Sequence, residues 1–345
     1  LHKEYRRQRQ MCIRDSARRA HNMDAAVYGA RASYIGGAAG TATVLAGQMF
    51  GIPVSGTMAH SWVMYYKDEY EAFKHYAENY PDNTVLLVDT YDTIKSGIPN
   101  AIRVAKEVLE PMGKRLKGIR IDSGDLAYQS IKVRKMLDDA GLQNCKVMVS
   151  NSLDEHTISS LNMQKARIDG YGVGERLITG ASSDYSEDSI SLLGAVYKIA
   201  AVEENGEFSP RIKVSGSVEK ITNPGLKKVY RVYDQNGKAK ADLIAKADET
   251  IDMSTEFRFV DPDMPWRNLK FTHCTVKPLQ EKIFENGKLI YKLPTLEEIR
   301  AYVKKQLEEE IWEEEQRFVN PHKHYMDMTP DYYDMKMSLL NDSRV

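Results

Sequence analysis

Residues 117–125 read KGIRIDSGD, a short apolar strand that runs straight into charge and hydroxyl. Gly118, Ile119 and Ile121 suit a buried strand, whereas Arg120, Asp122, Ser123, Gly124 and Asp125 are too polar to be there for packing. Upstream, NTVLLVDT (residues 83–90) is a continuous apolar run that ends in Asp89, Thr90, Tyr91 and Asp92. Downstream, CKVMVSNS (residues 145–152) ends in Ser150, Asn151 and Ser152. Between the three lie helical periods, Ile98 to Leu109 and Leu126 to Ala140, the second with Ile131, Val133, Met136 and Leu137 on its apolar side. Near-continuous apolar strands alternating with helices at about 30 residues predict βαβ units and a parallel sheet buried on both faces. In such sheets and barrels the chemistry gathers at the carboxyl ends of the strands, which is where all three polar clusters fall.

Composition bounds the rest. The chain has 345 residues, a formal net charge of -1 and 42% hydrophobic residues, enough for one large domain or two smaller ones. Near-neutral charge argues against nucleic acid or a membrane surface as the principal partner. Cys12, Cys145 and Cys274 form no CxxC and no even-numbered framework, which points to a reducing cytoplasm. No run of roughly 18 apolar residues predicts a membrane span.

Taken in order, the chain opens with an arginine-rich stretch, residues 1–15, read as an unmatched head, foreign or disordered. Ala25, Ala26, Ala30 and Ala32 predict a tightly packed helix ended by Gly36-Gly37, and Thr41 to Phe50 a second, short one. Ile52 to Thr57 reads as a brief strand leading into GTMAHSW, and Trp62 to Tyr80 as one helix. Leu153 to Met163 reads as a helix capped by Asp154, and Ile168 to Gly174 as a strand closing on two glycines. Beyond Leu192 short strands separated by Asn-Gly, Pro-Gly and Gly-Lys turns predict an antiparallel appendage, including RIKVSGSVEKITNPG (residues 211–225). Thr295 to Phe318 reads as a charged helix. The expected domains are residues 16–200, the catalytic core, and 201–345, a β-rich segment with a helical extension.

The candidate site residues are Arg18, Arg19, His60, Asp89, Arg120, Asp122, Ser150, Asn151, Gly172 and Gly174. Arginine forks, hydroxyls and glycine amides suit phosphates and carboxylates, and aspartates suit magnesium or ribose hydroxyls, so a phosphorylated sugar is the economical ligand. Structural alternatives stand beside each reading. Gly172 and Gly174 taken alone suit a tight turn better than a phosphate loop, Arg120 could pair with Asp122 or Asp125, and His60 could be a satisfied structural histidine.

GTMAHSW, TVLLVDTYDT, SGIPNAI, GIRIDSGDL, VSNSLDE, GYGVGERLIT, NPGLKKVYR, PTLEEIR and NPHKHY, in that order, together resemble the bacterial type of nicotinate phosphoribosyltransferase. The resemblance implies the type II phosphoribosyltransferase fold, an irregular TIM-like α/β barrel with an added β-rich α+β portion. It also implies a reaction of nicotinate with 5-phosphoribosyl 1-diphosphate, giving nicotinate mononucleotide and diphosphate with coupled ATP hydrolysis. ATP is then a co-substrate, Mg2+ the cofactor, a homodimer the assembly it suggests, and neither nucleic acid nor membrane a partner. Residue by residue, His60 matches the histidine phosphorylated from ATP, a role that suits imidazole as a nucleophile. Arg18 and Ser61 match the groups that hold the nicotinate carboxylate, with Arg19 beside them. Arg120 matches a substrate contact at the barrel mouth. Asp122 and Asp89 fall on ribose hydroxyls or Mg2+, and Ser150, Asn151, Gly172 and Gly174 on the 5-phosphate. Related enzymes for nicotinamide or quinolinate, and an inactive phosphosugar-binding fragment, are the rival readings.

Two departures accompany the likeness. Glu175 follows the phosphate-loop glycines where relatives carry a small hydroxyl residue, and Ala195 interrupts a commoner double glycine. Glu175 is therefore expected to point away from a bound phosphate. The family also carries a sandwich segment ahead of the paired arginines, so the chain reads as amino-terminally truncated and poorly active alone.

Overall fold

The computed structural model describes residues 12–15, 17–180, 198–213, 221–252, 256–317 and 320–342, giving the backbone alone at 12–15, 268 and 269. The chain forms two compact units, residues 1–193 and 194–345; the sequence reading placed its boundary at residue 200.

In the first unit the apolar runs become β3 (Val85–Leu87), β4 (Gly118–Ile121) and β5 (Lys146–Ser150), followed by β6 (Gly170–Val173). Every neighbouring pair is parallel, in the order β2-β1-β6-β5-β4-β3, where β1 is Cys12–Asp15 and β2 is Gly40–Thr41. Residues 12–15, set apart with the head in the sequence reading, thus lie inside this sheet, between β2 and β6. Consecutive residues Leu86, Leu87 and Val88 are all fully buried, as are Ile119, Ile121, Val147 and Val149. Burial without alternation means both faces are covered, the pattern of a parallel sheet.

The helices start where aspartate and asparagine side chains satisfy the first free N–H groups. Asn22 accepts from Ala25 N ahead of α1 (Met23–Ile35), Asp125 from Tyr128 N ahead of α6 (Leu126–Asp139), and Asp154 from Thr157 N ahead of α7 (Glu155–Met163). A short α2 (Val44–Phe50) ends on Gly51, and Thr41, expected in that helix, is a strand residue instead. The strand expected at Ile52 to Thr57 reduces to one bridge, Val54 to Thr41, because Pro53 offers a carbonyl to Thr41 N but has no N–H to extend a ladder. The helix expected over Trp62 to Tyr80 is two, α3 (His60–Tyr65) and α4 (Glu69–Asn79). Asp68 divides them, since its carboxylate caps Glu71 N at 2.9 Å rather than continuing a helix.

After β3 the chain turns through Thr93–Gly97 into α5 (Ile98–Val104). Gly97 permits this, for a Cβ there would stand 1.9 Å from Val88 O. The helix start is thereby pressed against the strand end that carries Asp89. A one-turn α8 (Glu175–Thr179) follows β6.

In the second unit, β7 (Ala201–Glu204) and β8 (Glu207–Pro210) form a hairpin. A six-stranded sheet joins β9 (Lys227–Tyr233), β10 (Ala239–Lys246), β11 (Phe257–Val260), β12 (Asn268–Phe271), β13 (Thr275–Pro278) and β16 (Met326–Met328) in the order β12-β11-β16-β10-β9-β13. A further small hairpin pairs β14 (Phe284–Glu285) with β15 (Lys288–Leu289). The turns at Asn205-Gly206 and Asn286-Gly287 place both residues at positive φ, the backbone that tight hairpins require. Most pairings are antiparallel, as expected; β10 with β16 is parallel. Of residues 211–225, those numbered 214–220 lie outside the described residues, as does Ala195.

The expected helix over Thr295 to Phe318 is α9 (Leu296–Lys305), opened by a capping box between Thr295 and Glu298. One wide turn, Gln306–Glu310, follows, and Ile311 is extended. Side chains anchored to the sheet explain the break: Tyr233 Oη donates to Glu310, and Trp312 Nε1 donates to Ala239 O at 2.7 Å. The C-terminal helix α10 (Pro330–Asp342) buries Tyr332, whose hydroxyl donates to Pro224 O at 2.7 Å. Among the described residues no helix is long and apolar enough to cross a membrane.

Candidate active site

Parallel register brings the polar strand ends side by side. Arg120 pairs with Leu87 and Met148, and Ser150 with Gly172. Asp89, Asp122, Ser150 and the β6 glycines thus follow one another across the carboxyl edge of the sheet, with the end of β1 next in line.

Asp122 is the hub. Its Oδ1 accepts the Ser150 hydroxyl, while Oδ2 lies 3.7 Å from His60 Nε2 and 3.8 Å from an Arg120 guanidinium nitrogen. The other His60 nitrogen, Nδ1, is 3.0 Å from Thr90 Oγ1. Arg120 also donates to Thr57 Oγ1. Asp89 ties two strand ends together, its Oδ2 accepting the Asp122 backbone N–H at 2.7 Å and the Ser123 hydroxyl at 2.6 Å. His60, Asp89, Arg120, Asp122 and Ser150 therefore form one connected polar cluster, and the pairing of Arg120 is with Asp122 rather than Asp125, whose carboxylate caps α6.

Accessibility separates the members. Ser150 is buried, Asp122 and His60 are about one-third exposed (31% and 38%) and Arg120 is 16% exposed. The cluster sits at a surface reachable by solute yet is held from below. Two polar atoms of it, Asp89 Oδ1 and Arg120 Nε, are buried with no hydrogen-bond partner among the described residues. A buried carboxylate oxygen without a donor is costly, and oxygen from one or two carboxylates completed by substrate phosphate is the donor set Mg2+ accepts. Asp89 fits that ion. Asp122 fits it less well, because both its oxygens already face donors or cations.

Ser150 has given its single hydroxyl proton to Asp122, so in this geometry it orients the carboxylate and has none left for a phosphate. Asn151 and Ser152 turn the chain at φ 96° and 47°, a left-handed backbone that is uncommon for non-glycine residues and concentrates at functional turns. Gly172 lies within β6, and Gly174 precedes α8.

The paired arginines follow the end of β1, both exposed. Arg19 Nε is 3.5 Å from Glu175 Oε2, so Glu175 has a cationic partner of its own. Ser61 is exposed on the first turn of α3. Thr57 and Thr90 were missed by sequence reasoning as site residues; their signal was a hydroxyl immediately preceding or following a strand end, too common to single out.

Behind the cluster, Glu69 is 4% exposed, and its Oε2 accepts from Ser96 Oγ and Asn100 Nδ2. Burial pushes its carboxyl pKa upward against those two hydrogen bonds, with Asp89 and Asp92 adding repulsion. The carboxylate fastens α4 to the turn that follows Asp89.

The family model for the "Nicotinate phosphoribosyltransferase (NAPRTase) family" matches residues 15–244, and that for the "Nicotinate phosphoribosyltransferase C-terminal domain" matches residues 226–336. The nicotinate phosphoribosyltransferase of Bacillus subtilis is 47% identical over 96% of this chain and 66% of its own length. That of Dictyostelium discoideum is 34% identical over 94% of this chain and 62% of its own. The chain thus spans somewhat under two thirds of the length of these curated relatives. The crystal structure of human nicotinic acid phosphoribosyltransferase superposes with a TM-score of 0.77 at 26% identity, covering 95% of this chain and 70% of that one. A parallel sheet ending in this polar cluster, the two family models and relatives of this identity together place the chain in the nicotinate phosphoribosyltransferase family.

Proposed function

We propose that the chain carries the phosphoribosyl-transfer site of a nicotinate phosphoribosyltransferase, in which the pyridine nitrogen of nicotinate displaces diphosphate from C1 of 5-phosphoribosyl 1-diphosphate. The observation that carries this reading is the cluster of Arg120, Asp122 and Asp89 at adjoining parallel strand ends, with His60 at the start of α3 beside Asp122. The transition state of such a displacement has oxocarbenium character. Catalysis then rests on positioning and on carboxylates that tolerate positive charge on the sugar.

Within this proposal Asp122 and Asp89 face the ribose, and Arg120, held by Thr57 and Asp122, meets the anionic substrate. Arg18 and Ser61 read the nicotinate carboxylate, with Arg19 alongside and balanced by Glu175. Asn151 and the backbone around Gly172 and Gly174 receive the 5-phosphate, while Ser150 sets Asp122. Mg2+ would be held through Asp89, whose Oδ1 lacks a hydrogen-bond partner among the described residues, and would neutralise charge on the departing diphosphate.

ATP coupling belongs to the proposal through His60. When Thr90 accepts a hydrogen bond from the Nδ1 proton, Nε2 presents the lone pair that would attack the γ-phosphorus of ATP as its bond to the β,γ-bridging oxygen breaks and ADP leaves, and Asp122 beside it balances the charge the ring acquires. A cytoplasmic setting and a homodimer complete the reading. The test is detection of nicotinate mononucleotide from nicotinate, 5-phosphoribosyl 1-diphosphate and Mg2+, with and without ATP, for the parent chain and His60→Ala. The expected variant loses acid-labile phosphate incorporation and ATP stimulation but retains a basal synthesis. Full phosphate incorporation in His60→Ala would remove His60 from the role.

A further inference from the structure

The second unit contains a cavity of about 480 Å3, inside the range of roughly 300–1,000 Å3 usual for small-molecule sites. Phe271, Trp312 and Tyr325 supply aromatic walls, and Lys240, Glu314 and Asp327 supply charge. The indole N–H of Trp312 is already bonded to Ala239 O, so what the residue has left to offer a ligand is π surface.

Asp327 is the unusual member. It is 1% exposed, and neither carboxylate oxygen has a hydrogen-bond partner among the described residues. The charged groups around it are committed elsewhere. Asp261 accepts from Asp263 N and Met264 N at 2.9 and 3.1 Å and has Arg267 at 3.8 Å. Lys323 pairs with Asp263 at 2.6 Å, and His324 stands between Glu315 at 3.0 Å and Asp242 at 3.3 Å. Burial, aggravated by Asp261, pushes the Asp327 carboxyl up to about 6, so keeping an aspartate here costs stability that a leucine or asparagine would not.

We propose that this cavity binds a small organic cation with a flat apolar body, its amidinium, guanidinium or ammonium head seated on Asp327 and its body against Trp312, Phe271 and Tyr325. The head would supply the donors that both carboxylate oxygens lack, and aromatic faces attract cations through their quadrupoles. The lining carboxylate without a partner selects the sign: Glu314 has Arg317 at 3.6 Å and Glu315 has His324 at 3.0 Å, whereas Asp327 has no hydrogen-bond partner among the described residues. A bare metal ion is a poorer match, because no group of three His, Cys, Asp or Glu suited to one exists among the described residues. This inference does not depend on the phosphoribosyl-transfer reading.

The experiment is calorimetric titration of the full chain with benzamidine, its neutral isostere benzamide and the anion benzoate. Saturable binding of benzamidine is expected, with benzamide and benzoate weaker by roughly tenfold or more, the worth of a hydrogen bond to a charged group. Asp327→Asn should weaken benzamidine by a similar factor. Lys240→Met, which removes a like charge, should tighten it. No saturable binding of benzamidine, equal binding of benzoate, or an Asp327→Asn variant that binds as the parent does would each overturn the proposal. Should Asp327→Asn fail to fold, Lys240→Met and the three-ligand ranking decide alone, and absence of tightening or of cation preference refutes it.

Discussion

The two units handle buried charge in opposite ways. In the first, Asp89 and Asp122 sit beyond the ends of strands, where backbone N–H and hydroxyl donors hold them while solvent still reaches the cluster. In the second, Arg231 and Asp242 face one another from adjacent strands inside the sheet, with bonds of 2.8 and 3.0 Å and side chains only 16% and 11% exposed. Burial alone would push the Asp242 carboxyl up, but His324 and Arg231 overcome it and hold it at about 2. The strand-end charges of the first unit can serve a solute, whereas the mid-sheet pair of Arg231 and Asp242 serves the fold, and mutation should separate the two roles.

The largest effect is expected where a buried pair loses one member. Arg231→Met leaves Asp242 desolvated and should cost about 3–5 kcal/mol of stability, read by urea unfolding. A loss below 1 kcal/mol would mean His324 alone suffices for Asp242.

Next comes Asp327, where the sign follows from a raised pKa. The folded state holds this proton more tightly than the unfolded chain, so its contribution is fully present below the ordinary value of 3.8 and lost as pH rises through about 6. The loss amounts to about 3 kcal/mol at neutral pH. Asp327→Asn should therefore melt higher than the parent at pH 7 and no higher at pH 4. Asp242, with its depressed pKa, behaves in the reverse sense, stabilising above 3.8 and failing as pH falls toward about 2.

Asp122→Asn should behave as its position implies. Turnover in the nicotinate assay is expected to fall by about a hundredfold, the scale of losing one preorganised charge, with melting temperature nearly unchanged. An equal fall in stability would erase the contrast between the units. The smallest effect is expected at Glu175→Gln: the pair with Arg19 has both side chains more than half exposed, and such contacts contribute about 0–1 kcal/mol. Thermal unfolding should barely register it.

Much of the first unit was legible because its signals are local. Apolar runs ending in polar clusters gave β3, β4 and β5, and Asp154 announced its helix before it began. Asn-Gly pairs marked hairpin turns in the second unit in the same way. What escaped depends on distant partners. Nothing local shows that residues 12–15 pair with β6, that Asp68 will cap rather than continue a helix, or that Thr57 meets Arg120. The break after Lys305 is set by Trp312 and Glu310 bonding to β10 and β9. Of the site, Asp89, Asp122, Arg120, Ser150 and His60 are legible from expected strand-end positions and do form one cluster; that Ser150 serves Asp122 follows only from the register that sets β5 beside β4.

The place of β1 has a consequence for how the first unit assembles. Strands β3 to β6 are neighbours both in sequence and in the sheet, so they can pair progressively as the chain lengthens. β1 and β2 can also pair early with one another, yet their seam to the remainder is the register of Cys12 to Asp15 against Gly170 to Val173. That contact spans nearly the whole unit, and long-range parallel pairing is slow because loop closure precedes any gain. During synthesis β1 must wait for β6, and Arg18 and Arg19 wait with it. The sheet is thus built as two pieces that meet at one late seam, and the final step of its folding sets the arginines beside the remaining strand ends.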